Sequence, residues 1–385
     1  MTQPNTISEW SFRNPVEICF GSACISEYAA RTTFKDALLV TTAGMVRRGT
    51  VDAFVAQWPN TSFEVCDSVT PNPAMLHMEQ QADRYRDQAF DCIVALGGGS
   101  AMDTAKVLSV LLRSDDGFSL KSHFYDKLPI GDPGSFVPVV TVPTTSGTGS
   151  EVTPFSTVWD TENNKKFSLN DPGMFAKTAL LAPELTMPLP WEITVSTGLD
   201  ALCQGLESIW NNNSTPASAA FAKQAVHKAL RVLQQGRAIL DDLQLRSELM
   251  EASLFAGIAI SQTRTALSHS MSYPITSHFG VPHGLACGFT VPAVLRFNAQ
   301  ADDGRLAELA ASLGMDSVEE LASQLEVLLQ ELGVPQLLSE DIQSPEQVIG
   351  ITSEMITPDR AGNNLRQPSF DDLEQIMRSA FASIA

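Results

Sequence analysis

The chain has 385 residues, of which 44% are hydrophobic, so it is long enough for two domains that each bury a sizeable core. It contains 25 Lys and Arg residues against 44 Asp and Glu residues, a formal net charge of −19. This negative charge repels phosphate backbones and anionic membrane surfaces, which argues against nucleic-acid and membrane partners. An anionic ligand must therefore be bound by local features such as helix N-termini and individually placed cations.

The cysteines and the N-terminal segment indicate a soluble cytoplasmic protein. The six cysteines show no C-x-x-C pair, which is typical of thiols in a reducing compartment. Residues 1–13 lack the apolar run of a signal peptide, and no apolar stretch reaches membrane-spanning length.

In the first half of the chain, short β-branched runs alternate with helical patterns such as residues 75–88 and 101–113. This alternation is typical of a mostly parallel, doubly wound α/β sheet. The continuous apolar run at residues 92–96 fits a strand that is buried on both faces. We predict strands over residues 16–20, 37–41, 62–66, 92–96, 137–142 and 179–182.

The second half of the chain carries helical periodicity and hardly any strand pattern. Thr215 and Pro216 are a typical N-cap and first residue of a helix, and Ser369 caps the last helix. Three prolines cluster between residues 183 and 191. We therefore predict an α/β dinucleotide-binding domain over residues 1–187 and an all-helical domain over 188–385. The predicted helices cover residues 197–210, 216–236, 243–260, 284–296, 305–313, 318–332 and 370–381.

Two polar, glycine-containing segments follow apolar strands. The first is the turn Gly97-Gly98-Gly99-Ser100, with Asp103 close behind it. Its glycines allow a close approach to a pyrophosphate at a helix N-terminus, although such a turn can also serve packing alone. The second, residues 143–151, concentrates hydroxyls and glycines in one loop, which favours a cradle for phosphate and ribose oxygens over a plain surface turn.

A third set of polar residues lies in the helical half. Asp200 and Gln204 are four residues apart on one predicted helix face, and His269 and His283 follow on later helices. Carboxylate, amide and imidazole donors suit a divalent metal such as iron or zinc. Spacing alone favours ordinary capping and core-polar roles for these residues.

The order and separation of these motifs resemble the iron-containing alcohol dehydrogenase family, which shares the dehydroquinate synthase-like fold. The resemblance runs from Phe20-Gly21 to Asn364-Leu365-Arg366. It implies NAD(P)H in a cleft between the two halves and a metal, iron(II) or zinc, held by residues matching Asp200, Gln204, His269 and His283. The cofactor-side positions that it implies are Thr42, Asn72, Gly98, Gly99, Ser100, Asp103, Thr144, Thr145, Thr148 and Lys166.

The chain departs from the family pattern at three positions. Gln204 replaces a usual histidine, so the fourth metal ligand is either a weaker amide oxygen or absent. Tyr273 replaces a histidine that relays a proton in many members, and a phenol has a much higher intrinsic pKa. Thr42 replaces an Asp that repels a 2′-phosphate in NAD-selective members, with Arg47 and Arg48 just behind it. We therefore expect NADPH to be accepted, unless both arginines are simply solvated.

These features predict a metal-dependent NAD(P)-linked alcohol dehydrogenase or aldehyde reductase that acts on a small substrate, in a homodimer. The proton passes through water, the cofactor ribose, Tyr273 or His278. Arg264 is expected either to face an anionic substrate or to form a surface ion pair. Subfamily likeness favours reduction of phosphonoacetaldehyde to 2-hydroxyethylphosphonate. The alternatives are a general primary-alcohol or lactaldehyde-type dehydrogenase, a dehydroquinate synthase-like lyase, and a cofactor-binding protein with a decayed metal site.

Overall fold

The computed structural model describes residues 9–114, 117–163 and 165–384. The strands in these ranges are β1 (Glu17–Phe20), β2 (Asp36–Val40), β3 (Ser62–Cys66), β4 (Cys92–Gly97), β5 (Val139–Pro143), β6 (Phe155–Asp160), β7 (Lys165–Asn170) and β8 (Thr178–Leu181). Within this described part, six strands form one parallel sheet in the order β1-β8-β5-β4-β2-β3. Strands β6 and β7 form a separate antiparallel hairpin.

The helices divide between the two halves. Those of the first half are α1 (Cys24–Arg31), α2 (Ala43–Arg47), α3 (Thr50–Val55), α4 (Met75–Tyr85), α5 (Gly99–Leu111) and α6 (Leu120–Asp126). Those of the second half are α7 (Trp191–Ile209), α8 (Pro216–Leu233), α9 (Leu243–Thr263), α10 (Leu267–Phe279), α11 (His283–Gly288), α12 (Val291–Ala299), α13 (Arg305–Ser312), α14 (Val318–Glu331), α15 (Val334–Ser339), α16 (Pro345–Ile349), α17 (Pro358–Ala361) and α18 (Phe370–Ile384).

The parallel sheet is covered on both faces, as the apolar strand at residues 92–96 predicted. Ile93 packs in the same hydrophobic cluster as Leu38, whereas its neighbour Val94 packs with Leu39 in a second cluster. Because successive strand residues point to opposite faces, each face of the sheet has its own layer of helices. The α/β fold of the first half and the helical fold of the second half are confirmed.

Two details of the predicted elements are wrong. The β6–β7 hairpin was not predicted, because its residues follow directly on the hydroxyl-rich loop and alternate with polar residues. The helix predicted over residues 284–296 is two helices, α11 and α12, and Pro292 lies at the start of the second. A proline lacks the backbone donor that a continuous helix needs, so the break falls where the sequence carries one.

The connection between the halves contains the predicted boundary at residue 187. Strand β8 ends at Leu181 and α7 begins at Trp191. The core of the second half is built from many helices around α7, whose length is buried almost throughout. No helix among the described residues combines the length and the hydropathy needed to span a bilayer.

One close backbone contact joins the halves. Gly149, in the loop after β5, has a φ of +60° and lies against Gly257 of α9. A Cβ at Gly257 would lie 2.7 Å from the Gly149 Cα, so neither position has room for a side chain. A Cβ at Gly147 would likewise lie 2.7 Å from the backbone oxygen of Thr197 on α7, so the hydroxyl-rich loop lies beside α9 and beside α7, the helix that carries Asp200 and Gln204.

Candidate functional site

A cavity of ≈ 210 Å³ lies between the halves. Its volume is below the roughly 300–1,000 Å³ of pockets for drug-sized ligands, so its enclosed part suits a small substrate. The lining comes from the glycine turn and the start of α5, the hydroxyl-rich loop, the Asn72-Pro73 segment, the β6–β7 hairpin and the helices α7, α9, α10, α11 and α17. Among the lining residues are Asn72, Gly99, Ser100, Asp103, Thr148, Lys166, Asp200, Gln204, His269, Tyr273, His283 and Arg360.

The metal-ligating residues predicted from the sequence meet at one end of this cavity. Asp200 lies on α7, His269 on α10 and His283 at the start of α11. The Nε2 atom of His269 lies 3.2 Å from Oδ1 of Asp200, and the two imidazole centroids are 5.3 Å apart. Together with Cys287 Sγ, one donor atom of each residue lies within 4.8 Å of all the others.

Each histidine is oriented by a neighbouring side chain. Glu207, which is fully buried, has its Oε2 atom 2.7 Å from His269 Nδ1 and accepts the backbone N–H of His269 through Oε1. Ser272 Oγ lies 3.3 Å from His283 Nδ1. Partners on Nδ1 leave each Nε2 atom for a metal, which is the arrangement of histidine ligands and their carboxylate partners in metalloproteins.

Gln204 faces the same centre with an unpaired oxygen. Its amide nitrogen donates to Asp200 Oδ1 at 3.1 Å and to the Thr148 carbonyl at 3.3 Å, which links α7 to the hydroxyl-rich loop. Its Oε1 atom is buried and has no hydrogen-bond partner among the described residues. A buried acceptor without a partner costs about 1–3 kcal/mol, so this atom indicates a cation or donor in the site. The residues present therefore fit a divalent metal.

Tyr273 lies beside the metal end, between two cations. Its ring stacks on His283 with centroids 5.7 Å apart, and the Lys166 Nζ atom lies 3.5 Å from the Tyr273 ring centroid. The Arg360 guanidinium lies 4.7 Å from the same centroid. Burial raises the pKa of Tyr273, but the Arg360 and Lys166 charges outweigh burial and hold that pKa below its ordinary value. Burial lowers the pKa of Lys166 itself.

The structure does not bring two of the predicted catalytic residues into this cavity. His278 is half-exposed on α10, and its Nε2 atom lies 2.9 Å from Glu354 Oε2 at the surface. A proton relay requires hydrogen-bonding reach of the reacting atoms, so His278 is wrongly placed for one. Arg264 ends α9 and is exposed. It lines a side cavity of ≈ 40 Å³ together with Arg360, and a separate pocket of ≈ 320 Å³, but not the ≈ 210 Å³ cavity with the metal ligands, hereafter the main cavity.

Most of the predicted cofactor residues follow the carboxyl ends of the parallel strands, whereas Lys166 lies on β7 of the separate hairpin. A Cβ at Gly98 would lie 3.2 Å from Thr145 Oγ1, and one at Gly99 would lie 2.7 Å from Thr148 Cγ2. The glycine turn and the hydroxyl-rich loop therefore pack together closely because the turn has no side chains. Thr144, Thr145 and Gly98 belong to this edge but do not line the main cavity.

Thr42 occupies the same edge at the end of β2, outside the main cavity. Its Oγ1 atom accepts the backbone N–H of Met45 at 3.4 Å and so caps α2. Arg47 and Arg48 follow on the exposed side of that helix, and the Arg48 guanidinium contacts Met45 Sδ at 3.2 Å. No described carboxylate forms an ion pair with either arginine, so both charges remain available to a ligand at this edge.

A buried network of polar side chains fixes the position of the hydroxyl-rich loop. Lys106 Nζ donates to Ser150 Oγ at 2.9 Å and to the Thr153 and Phe155 carbonyls. Asp103 accepts the Ser150 hydroxyl at 2.7 Å, so both of these charged residues hold the loop in place. Burial lowers the pKa of Lys106 to about 8 and raises the pKa of the adjacent Glu151 to about 7.

We expect Glu151→Gln to change how stability depends on pH. The pKa of Glu151 is about 7 in the folded chain, against 4.5 for an ordinary glutamate in the unfolded chain. Between pH 4.5 and pH 7 the folded chain therefore binds more protons than the unfolded chain, and the free energy of unfolding falls as the pH rises through this range. The glutamine removes this loss. Relative to the parent, the variant should gain roughly 1–3 kcal/mol between pH 5 and pH 8.

Urea unfolding of metal-free protein at the two pH values measures this difference, with the exposed Glu162→Gln as the charge-matched control. If Glu162→Gln changed the pH dependence of the free energy of unfolding as much as Glu151→Gln does, the effect would not come from the burial of Glu151.

The structure adds three residues to the site that the sequence analysis did not single out, namely Cys287, Glu207 and Arg360. Glu207 lies on the same helix as Asp200 and Gln204, and a glutamate inside the apolar run of α7 is the signal that could have identified it. Arg360 lies on the short helix α17, and nothing in its sequence neighbourhood indicates that it lies over Tyr273.

Comparison with known proteins extends over both halves of the chain. A family model described as iron-containing alcohol dehydrogenase matches residues 15–183. A second model, for the C-terminal part of the Fe-containing alcohol dehydrogenase family, matches residues 194–381.

Individual relatives differ in substrate. The phosphonoacetaldehyde reductase of Streptomyces viridochromogenes is 38% identical over 229 residues, which are 59% of this chain and only 58% of that reductase. The 1,3-propanediol dehydrogenase of Klebsiella pneumoniae is 29% identical over 94% of this chain and 96% of its own. A solved structure, that of sulfoacetaldehyde reductase from Bifidobacterium kashiwanohense in complex with NAD⁺, matches with a TM-score of 0.89. The two sequences are 29% identical, and the match covers 97% of this chain and 99% of that one.

Proposed function

This chain belongs to the iron-containing alcohol dehydrogenase family, and from that premise we propose that it reduces a small anionic aldehyde with NAD(P)H. The favoured substrate is phosphonoacetaldehyde, and the product is 2-hydroxyethylphosphonate. Membership makes it an alcohol dehydrogenase that uses a nicotinamide cofactor and a metal. The choice of an anionic aldehyde is the proposal, and the 38% identity to a phosphonoacetaldehyde reductase supports it.

The observation that carries the proposal is the pair of cations at the metal end of the cavity. Arg360 and Lys166, the latter predicted from the family resemblance as a cofactor-side residue, both lie over Tyr273, within reach of a substrate next to His283. None of the ion pairs between described residues involves either cation. In a chain with a net charge of −19, two unpaired cations in one small cavity favour an anionic ligand. A guanidinium is suited to bidentate contact with a phosphonate.

The roles of the remaining residues follow from their positions. Asp200, His269 and His283 hold the metal, and Gln204 Oε1 faces it. When bound, the metal supplies Lewis-acid polarisation of the substrate oxygen. The residues Asn72, Gly98, Gly99, Ser100, Asp103, Thr144, Thr145 and Thr148 hold the dinucleotide along the carboxyl edge of the sheet. When bound there, the dinucleotide would supply the hydride for the reduction.

Tyr273 is the side chain best placed to supply a proton near the reacting oxygen. It stacks on His283 and lines the cavity, and the two neighbouring cations favour its ionised form. A tyrosine with a lowered pKa exchanges protons more readily near neutral pH than an ordinary phenol. Water would connect its hydroxyl to solvent.

Both nicotinamide cofactors are proposed substrates. Thr42 places no carboxylate where a 2′-phosphate would lie, and Arg47 and Arg48 stand close by on α2. A guanidinium paired with the extra phosphate would favour NADPH.

A panel assay tests the proposed function. Protein reconstituted with iron(II) or zinc is mixed with NADH or NADPH, and cofactor oxidation is followed with phosphonoacetaldehyde, propanal and 3-hydroxypropanal. We expect kcat/KM for phosphonoacetaldehyde to exceed that for the neutral aldehydes by about 100-fold, since desolvated charge pairs contribute roughly 2–5 kcal/mol. Equal or greater kcat/KM with 3-hydroxypropanal would instead favour a general primary-alcohol dehydrogenase, for which the likeness to 1,3-propanediol dehydrogenase argues.

A further inference from the structure

We propose that Cys287 is the fourth protein ligand of the metal, in the place of the missing histidine at position 204, and that the site therefore prefers zinc to iron(II). The inference rests on the proposed function, because it concerns the same metal centre. It concerns the identity of one ligand and of the ion.

The position of Cys287 carries the first step. His283 and Cys287 are four residues apart on α11, so both side chains project from one face of that helix. Cys287 Sγ lies 3.8 Å from both ring nitrogens of His283, and it belongs to the buried donor group with Asp200 and His269. All six cysteines are free in the described chain, so this thiol is available as a ligand.

The second step is the chemistry at position 204. The Gln204 amide nitrogen already donates to Asp200 Oδ1 and to the Thr148 carbonyl, which fixes the amide as a support for Asp200. Its unpaired Oε1 atom, buried in the same cavity, can accept a cation or a hydrogen-bond donor there. A neutral amide oxygen is a weaker donor than a thiolate. Carboxylate, two imidazoles and a thiolate make a mixed set that selects zinc or cobalt(II) over iron(II).

Cys203 provides a control, because its thiol neighbours both His269 and the Cys287 thiol. Its Sγ atom lies 3.7 Å from His269 Nδ1, the nitrogen that Glu207 already engages. A second donor group of Cys203, Glu207 and His269 exists there. The Glu207 carboxylate in that group is occupied by the backbone N–H groups of Ala266 and His269. The structure therefore favours Cys287 over Cys203 as the sulfur ligand.

Cobalt(II) absorption tests the assignment. Metal-free protein, kept reduced with a phosphine, is titrated with cobalt(II), and thiolate-to-cobalt charge transfer is followed in the near ultraviolet. We expect the band in the parent chain, in Cys203→Ser and in Gln204→Ala, and its loss in Cys287→Ser. Cobalt binding by the parent without the band, or an unchanged band in Cys287→Ser, overturns the proposal. A band that disappears only in Cys203→Ser assigns the sulfur to the other thiol.

A measurement on the parent chain keeps the proposal testable if Cys287→Ser fails to fold. X-ray absorption of the zinc-loaded protein should show a zinc–sulfur distance of about 2.3 Å. Scattering by nitrogen and oxygen alone contradicts a thiolate ligand. Failure of the chain to bind any divalent metal would instead sink the proposed function, so the two failures are distinguishable. Where Cys287→Ser folds, zinc affinity should fall about 100-fold or more, since loss of even an outer-shell partner costs about 10–100-fold.

Discussion

Asp200→Asn is expected to lower kcat/KM for aldehyde reduction by about 1,000-fold and to remove most of the bound metal. The substitution keeps the shape of the side chain but removes the only carboxylate in the donor group around His269 and His283. A Lewis-acidic metal supplies several kcal/mol of stabilisation to developing charge, and about 1.4 kcal/mol corresponds to a tenfold change in rate.

The measurements are metal content after dialysis and steady-state rates with saturating metal. Cofactor binding, followed by NADH fluorescence, should be retained, because the glycine turn and the hydroxyl-rich loop belong to the other half of the chain. Asp160→Asn is a control with an equal loss of charge on the β6–β7 hairpin, outside the residues that line the main cavity. Full activity of Asp200→Asn without bound metal would contradict metal-dependent chemistry at this site.

Arg360→Ala is expected to lower kcat/KM for phosphonoacetaldehyde by about 30-fold or more while changing that for propanal less than about threefold. Removing one member of a close charge pair costs roughly 2–5 kcal/mol, whereas an uncharged aldehyde makes no such pair. Arg360→Lys should recover part of the loss, because the ammonium keeps the charge without the planar fork of donors.

Arg264→Ala is the matched control for Arg360→Ala. Arg264 also lies beside Phe155 and Thr265 in the side cavity, but it is exposed and does not line the main cavity. We expect it to change both substrates by less than about threefold. A larger selective loss with Arg264→Ala would place the anionic group of the substrate in the side cavity. Equal losses with both aldehydes in Arg360→Ala would argue against an anionic substrate.

The two experiments together separate metal chemistry from substrate recognition. Asp200→Asn should affect every aldehyde alike, because polarisation of the carbonyl does not depend on the distal group. Arg360→Ala should affect only the charged one. The geometry of the cavity predicts that Asp200→Asn loses activity with every aldehyde and that Arg360→Ala loses only the preference for the charged aldehyde.

The sequence determined the fold class and the chain segments of the site. The alternation of apolar strands and helical patterns reflects burial on both faces of a sheet, which is a local property of the residues themselves. Glycine at positions 98 and 99 and the hydroxyls of residues 144–150 mark loops after strands, and those loops meet because parallel strands end at one edge. Asp200, His269 and His283 could be named because the order of the motifs resembles that of a known family, since their spacing alone favoured capping and core-polar roles.

The tertiary structure alone decided which side chains share the cavity. Arg264 and His278 have suitable chemistry and lie near His269 in sequence, yet the ends of α9 and α10 direct them to the surface. Arg360 comes from a distant short helix that lies over Tyr273. Such contacts depend on how helices pack against one another, which no local pattern of residues specifies. The sequence therefore predicted a metal and a dinucleotide, whereas the packing of α10, α11 and α17 placed the Arg360 guanidinium and the Cys287 thiol beside them.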